Sequence, residues 1–188
     1  MAPARQQAST GKAQSAIEAF LRDRGAAQMP HPGGTLLEHL RRVQRLLVDW
    51  GANPAVQSAG LCHAAYGTDG FAPSLLPLTE RATLVALIGE EAEALVYLYA
   101  SCDRATVYPR IDGTTEVAFR DRFTSREHRP PPDDLRAFLE ITAANELDVL
   151  THNRELARQH GPELCGFLKR AGSLLSPAAQ DAVARQLA

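Results

Sequence analysis

Thr35-Leu36-Leu37-Glu38-His39-Leu40-Arg41-Arg42-Val43 opens a helix and sets a histidine inside its apolar stripe. Thr35 is the N-cap, and Glu38 stands three residues on, the spacing of a capping box. Leu36, Leu40, Val43 and Leu47 recur at steps of three and four, and Gly51 ends the pattern just after Trp50. His39 shares that stripe, so its imidazole points toward the core.

Two other helices repeat the anomaly. Asn53-Pro54 supplies a cap and a proline at the first helical position, and the helix that follows carries Val56, Ala59, Gly60 and His63 on one face before Gly67 breaks it. Further on, Asp133 or Asp134 caps a long helix expected to reach about Gln159, in which Ile141, Asn145, Asp148 and His152 form one stripe. A buried polar group without a partner costs about 1–3 kcal/mol. The inward set must therefore satisfy itself, a metal, water or a ligand. Two imidazoles and a carboxylate (His39, His63 and Asp148) suit a divalent ion with open positions, and they equally suit acid–base work near neutral pH.

The remainder predicts a mostly α protein. Residues 1–12 read as a flexible tail and 13–188 as a single domain. A first helix carries Ala16, Ile17, Phe20 and Leu21 and stops at Gly25, and Met29–Gly34 is a loop. Thr79 opens a short helix to Ile88, and after Gly89 another runs from Glu90 to about Asp103. Residues 106–119 alternate loosely around Asp112-Gly113, which predicts one inserted β-hairpin. A charged, proline-rich loop over 120–132 follows, and two short helices close the chain, the last opened by Ser176-Pro177.

Composition narrows the function classes. The 188 residues carry a formal charge of −2, so no basic field marks a nucleic-acid partner. No apolar run reaches the roughly 18 residues of a membrane span, and the polar N-terminus lacks a signal-peptide core. The cysteines Cys62, Cys102 and Cys165 are widely spaced, which predicts a reduced, cytoplasmic protein. The expected partner is a small-molecule substrate or ligand.

Leu37-Glu38-His39 to Val43, a helix break, and Ala59-Gly60-Leu61-Cys62-His63-Ala64 together resemble the HD-domain superfamily, with its pattern H…HD…D. Ala143-Ala144-Asn145-Glu146-Leu147-Asp148 falls where that superfamily carries its last metal-ligand aspartate. Within the superfamily, His63–Phe71, Leu87–Glu93 and Cys102-Asp103-Arg104 resemble a small bacterial group of HD-like proteins of unknown function. The resemblance implies an HD-like helical bundle and, first in rank, a metal-dependent hydrolase of a phosphorylated or nucleotide-like substrate. A metal-independent histidine acid–base enzyme, an HD-type iron oxygenase and a non-catalytic ligand-binding protein are the alternatives.

Two departures bear on the metal. Ala64 stands where the superfamily has aspartate beside its second histidine, and Asn145 replaces the final aspartate. Loss of two carboxylates removes most of the charge that holds a divalent ion. The expected cofactor is thus one ion of Mn, Fe, Co or Zn on His39, His63 and Asp148, or none. The catalytic candidates are His63, Tyr66, Asp69 and Asn145, and the substrate-binding candidates are His31, Asp103, Arg104, Arg120 and Arg122. The arginines are chosen because a guanidinium can clamp an anion bidentately.

Overall fold

The computed structural model describes residues 3–186. Its elements run α1 (Pro3–Asp23), a two-residue antiparallel pair β1 (Pro30–His31) and β2 (Gly34–Thr35), α2 (Leu36–Asp49) and α3 (Pro54–Cys62). Next come α4 (Arg81–Ile88), α5 (Glu90–Ser101) and the single turn α6 (Arg104–Val107). A second small pair, β3 (Phe119–Arg120) and β4 (Glu127–His128), precedes α7 (Pro132–His152), α8 (Arg154–Arg170) and α9 (Pro177–Gln186). The protein is mostly helical, and no described helix is long and apolar enough to cross a membrane.

Local chemistry explains the boundaries. The Thr35 hydroxyl accepts from the Glu38 N–H at 3.3 Å, while the Thr35 N–H donates to the Glu38 carboxylate at 2.7 Å, so the expected capping box starts α2. Asn53 accepts from the Val56 N–H at 2.9 Å and Pro54 follows it, starting α3. The α2 stripe of Leu36, Leu40, Val43 and Leu47 is fully buried, at about 1.5–3 kcal/mol for each side chain removed from water. A Cβ on Gly60 would lie 2.2 Å from Leu47 Cδ1. Glycine there lets α2 and α3 approach closely enough to bring His39 and His63 together.

α7 is the central helix. From Phe138 to Asp148 every residue is buried, because α2, α5, α8 and α9 all pack on it. A helix enclosed on all sides must bury its polar residues too, which places Asn145, Glu146 and Asp148 inside.

Several expectations change. The first helix begins at Pro3, within the stretch read as a tail; Met1 and Ala2 lie outside the described residues. The long helix ends at His152 rather than Gln159, because the Asn153 side chain accepts from the N–H groups of Glu155 and Leu156, both at 3.1 Å, and caps a separate α8. The hairpin over 106–119 does not form. Asp103 caps α6 by accepting from the Thr106 N–H at 3.0 Å, and Asp112 closes a local turn onto the Thr114 N–H at 2.9 Å. The Ser173 hydroxyl holds the Gly113 carbonyl at 2.8 Å, so the segment docks against the end of α8 instead of pairing with itself. The paired strands occur one step downstream, at 119–120 and 127–128.

Candidate functional site

His39 comes from the first turn of α2, His63 from the C-terminal cap of α3, and Asn145 and Asp148 from α7. All four are buried. His39 Nδ1 lies 2.7 Å from Asp148 Oδ2, and His39 Nε2 lies 3.1 Å from Asn145 Oδ1 and 3.4 Å from His63 Nε2. His63 Nδ1 donates to the Gly60 carbonyl at 2.7 Å, so its Nε2 presents a lone pair.

The hydrogen-bond network assigns the protons. Asn145 Nδ2 donates to Glu146 Oε1 at 3.2 Å, which fixes the amide oxygen toward His39. His39 then meets an acceptor at each of its nitrogens: a carboxylate at Nδ1, an amide oxygen and an imidazole lone pair at Nε2. An acceptor at each nitrogen is the setting in which a ring carrying hydrogen on both would be fully satisfied.

The neighbouring groups are perturbed strongly. Burial, and then the charge on His39, push His63 down to about 3, so it is neutral at pH 7. Burial tends to raise the Asp148 carboxyl, but the hydrogen bonds and charges of His39 and Arg42 outweigh it and hold the group at about 2. Arg42 donates from Nε to Asp148 Oδ1 at 2.6 Å and from Nη2 to Oδ2 at 3.0 Å, a two-point grip that fixes the carboxylate. His31 stacks on His39 with ring centroids 4.0 Å apart, and burial followed by the His39 charge lowers it to about 4.

His31, His39, His63 and Asn145 line a cavity of about 780 Å³, with Asp148 and Arg42 behind His39. Leu36, Phe71, Tyr108, Val149 and Leu150 line it, and α8 supplies Leu156, Leu164 and Phe167 as a further wall. Tyr108 stacks on Phe167 at 4.2 Å. Its buried hydroxyl has no partner among the described residues, and neither has His31 Nδ1.

The structure separates the remaining candidates. Arg104 lines the cavity, donating to Glu146 at 3.1 Å and to the Tyr99 hydroxyl at 3.1 Å. Asp69 stands behind it, accepting from the Arg104 backbone N–H at 2.8 Å. Tyr66 points elsewhere: its hydroxyl donates to Glu93 at 2.7 Å, and Glu93 is also held by Arg81 at 2.7 Å. Asp103 caps α6 and pairs with Arg120 at 3.2 Å. Arg122 donates to the Ala100 carbonyl at 2.7 Å and lies over the Phe123 ring. Tyr66, Asp103, Arg120 and Arg122 do not line the cavity. Arg42, Glu146, Tyr108 and the α8 wall were missed. For Arg42 the available signal was its position three residues after His39, one helical turn along.

The metal set implied by the superfamily resemblance does not fit these side chains. Both Asp148 oxygens are taken by Arg42 and by the Nδ1 edge of His39, the edge away from His63. Ala64, buried at the cavity wall, offers no ligand. Among the described residues no three His, Cys, Asp or Glu side chains gather as a metal-binding group. Asp148 has instead the place of a carboxylate that orients a histidine.

Residues 20–104 are similar to a domain of unknown function, DUF6817. That span holds His31, His39, His63 and Arg104 and stops short of the α7 residues Asn145 and Asp148. No curated protein and no solved structure matches the chain.

Proposed function

We propose that this protein is a divergent HD-like scaffold whose cavity performs metal-independent acid–base chemistry on a small molecule. The observation that carries the reading is the buried chain from Asp148 through His39 to His63, open at its Nε2 end to a largely apolar cavity. The descent of the four residues from α2, α3 and α7, in the order of the superfamily pattern, supports the HD-like assignment. It does not depend on the missing carboxylates.

The roles follow from the proton positions. His39 holds the transferable proton on Nε2. Asp148, at about 2, stays ionised at neutral pH and orients the ring without carrying the proton. His63, at about 3, accepts a hydrogen bond without taking the proton at rest. When a substrate atom takes the His39 proton, the ring becomes neutral and the repulsion that lowers His63 disappears. A proton released from a second substrate atom can then be taken up by His63 Nε2 and passed to His39 Nε2, which restores the starting state. Largely apolar walls strengthen each of these interactions.

Metal-dependent hydrolysis of a phosphate ester is the second reading, and one distance favours it. Two imidazole nitrogens about 2.1 Å from a tetrahedral ion lie about 3.4 Å apart, the spacing of His39 and His63 Nε2. A single experiment separates the readings. Chelator-treated protein is incubated in D2O with a panel of carbonyl compounds and esters, and proton exchange and turnover are followed by NMR. A parallel set receives Mn, Fe, Co or Zn and phosphate esters. The acid–base reading requires exchange or turnover without metal that is lost in His39→Gln. Phosphate release only on adding metal, with no metal-free activity, would overturn it in favour of the second reading.

A further inference from the structure

A buried carboxylate is costly unless donors satisfy its oxygens. Five are buried among the described residues: Glu93, Asp121, Glu140, Glu146 and Asp148. Four of them use both oxygens. Tyr66 and Arg81 hold Glu93, and Tyr97 with the Phe123 and Thr124 N–H groups holds Asp121. The Ser176 N–H and hydroxyl hold Glu140, and His39 and Arg42 hold Asp148.

Glu146 is the exception. Its Oε1 takes two donors, Arg104 Nη1 at 3.1 Å and Asn145 Nδ2 at 3.2 Å, while Oε2 takes none among the described residues. Nor is Oε2 sealed in, since the fully enclosed side-chain atoms without a partner are His31 Nδ1 and the Tyr108 hydroxyl. Glu146 is 5% exposed and lines the cavity, so its open oxygen meets the cavity space.

The surroundings define what completes it. A carboxylate oxygen only accepts, so the missing group is an O–H or N–H donor. Arg104 already pairs with Glu146, and an ammonium at Oε2 would face that guanidinium, so the position suits an uncharged donor. Val149 and Leu150 stand three and four residues on, on the same face of α7, and line the cavity together with Leu156, Leu164 and Phe167 of α8. A hydroxyl brings no second polar group against these walls, whereas an amide brings a carbonyl.

We infer that the cavity binds an uncharged alcohol, its hydroxyl donating to Glu146 Oε2 and its hydrocarbon body lying along Val149, Leu150 and the α8 wall. The hydroxyl then stands one amide away from the histidine pair, because Asn145 bonds Glu146 through Nδ2 and His39 through Oδ1. A ketone of the same skeleton has no hydrogen to give, and its oxygen opposes the carboxylate lone pairs.

Amide-shift NMR titration of the full chain at pH 7 compares cyclohexanol and cyclooctanol with the ketones and the amines of the same rings. Wild type is expected to bind each alcohol at least about tenfold more tightly than its ketone and than its ammonium form. In Glu146→Gln the amide oxygen is expected to keep the Arg104 and Asn145 donors, which turns an N–H2 group into the open position. The alcohol-to-ketone ratio should then fall to about one or below, with ketone binding kept, which also shows that the variant is folded. An unchanged ratio in the variant overturns the inference. So does a wild type that binds ketones as well as alcohols, binds the ammonium forms best, or binds none of the three. If the variant does not fold, a crystal structure of the wild type with cyclooctanol decides: a hydroxyl within about 3 Å of Glu146 Oε2 supports the inference, and a hydroxyl placed elsewhere overturns it. The inference takes from the acid–base reading only its choice of cavity. Alcohol preference without any metal-free exchange or turnover would leave this inference standing and remove the acid–base reading; exchange without the preference would do the reverse.

Discussion

Replacing Asp148 with asparagine probes the centre of the site, because one side chain serves both His39 and Arg42. The substitution keeps volume and removes the charge. It also puts an amide N–H2 where one of two donors, His39 Nδ1–H or an Arg42 N–H, now finds an acceptor. Two magnitudes bear on the cost. The carboxyl falls from an ordinary 3.8 to about 2 in the folded state, which corresponds to about 2 kcal/mol of folding stability. Removing one partner of a buried ion pair typically costs about 3–5 kcal/mol. Arg42 is one-fifth exposed and can regain water, whereas His39 is 1% exposed and cannot. A loss of about 2–4 kcal/mol is therefore expected, a large share of the roughly 5–15 kcal/mol that holds a domain together.

Urea unfolding of the wild type and Asp148→Asn at pH 7 measures this directly, with an unchanged m-value required for the comparison. The sign of the pH dependence is also fixed. A carboxyl depressed in the folded state stabilises above its unfolded value and loses that contribution as pH falls through the folded value. The gap between the two proteins should be complete above about pH 5 and shrink as pH falls from 3.8 toward 2. A loss below about 1 kcal/mol at pH 7, or a gap that does not close in acid, would refute the reasoning.

Three other perturbations follow from the same geometry. His63 and His31 titrate in the folded protein near 3 and 4 instead of 6.5, so only the unfolded chain takes up their protons between pH 6.5 and 4. Stability should fall in that window by up to about 1.4 kcal/mol per pH unit for each group, and His63→Gln, measured by denaturant midpoints, should make the slope shallower. Tyr108→Phe deletes a buried hydroxyl with no partner among the described residues and should raise stability, by up to about 1–3 kcal/mol, whereas Tyr66→Phe strips a hydrogen bond from buried Glu93 and should cost about 1–3 kcal/mol. Thr35→Ala removes the α2 cap and should cost about 1 kcal/mol in thermal or chemical unfolding.

How far the fold could be read in advance depended on whether the signal was local. The Thr35–Glu38 box and the Asn53-Pro54 start are short-range chemistry, and both appear as expected. The inward positions of His39, His63, Asn145 and Asp148 were legible because helical periodicity assigns a face to each residue. Their convergence depended on Gly60, whose closeness to Leu47 is a tertiary fact. Local signals misled where two were in competition. At Asn153 the apolar period continues through Leu156, but the asparagine side chain caps a new helix. At 106–119 loose alternation suggested strands, while Asp103 and Asp112 made local side-chain hydrogen bonds that stop pairing.

The candidate site was half visible for a related reason. Tyr66 follows His63 by three residues, yet α3 ends at Cys62, so helical spacing no longer governs where its side chain goes. Arg42 lies outside the apolar stripe of α2, and only its long side chain brings it to Asp148 from the helix edge. Arg120 and Arg122 were chosen for their chemistry, and only the packing around Asp103 and Ala100 shows that they are already engaged. The α8 wall belongs to a helix in which apolar residues are sparse.

The central claim is that His39 carries two protons beside a neutral His63 in a site without metal. Long-range proton–nitrogen correlation NMR of the imidazoles at pH 7, on chelator-treated protein before and after addition of Zn or Mn, measures it most directly. The expected result is an imidazolium at His39 and an Nδ1–H tautomer with a free Nε2 at His63, both unchanged by metal. A neutral His39, or stoichiometric uptake of an ion that removes the His39 Nε2 proton, would contradict it.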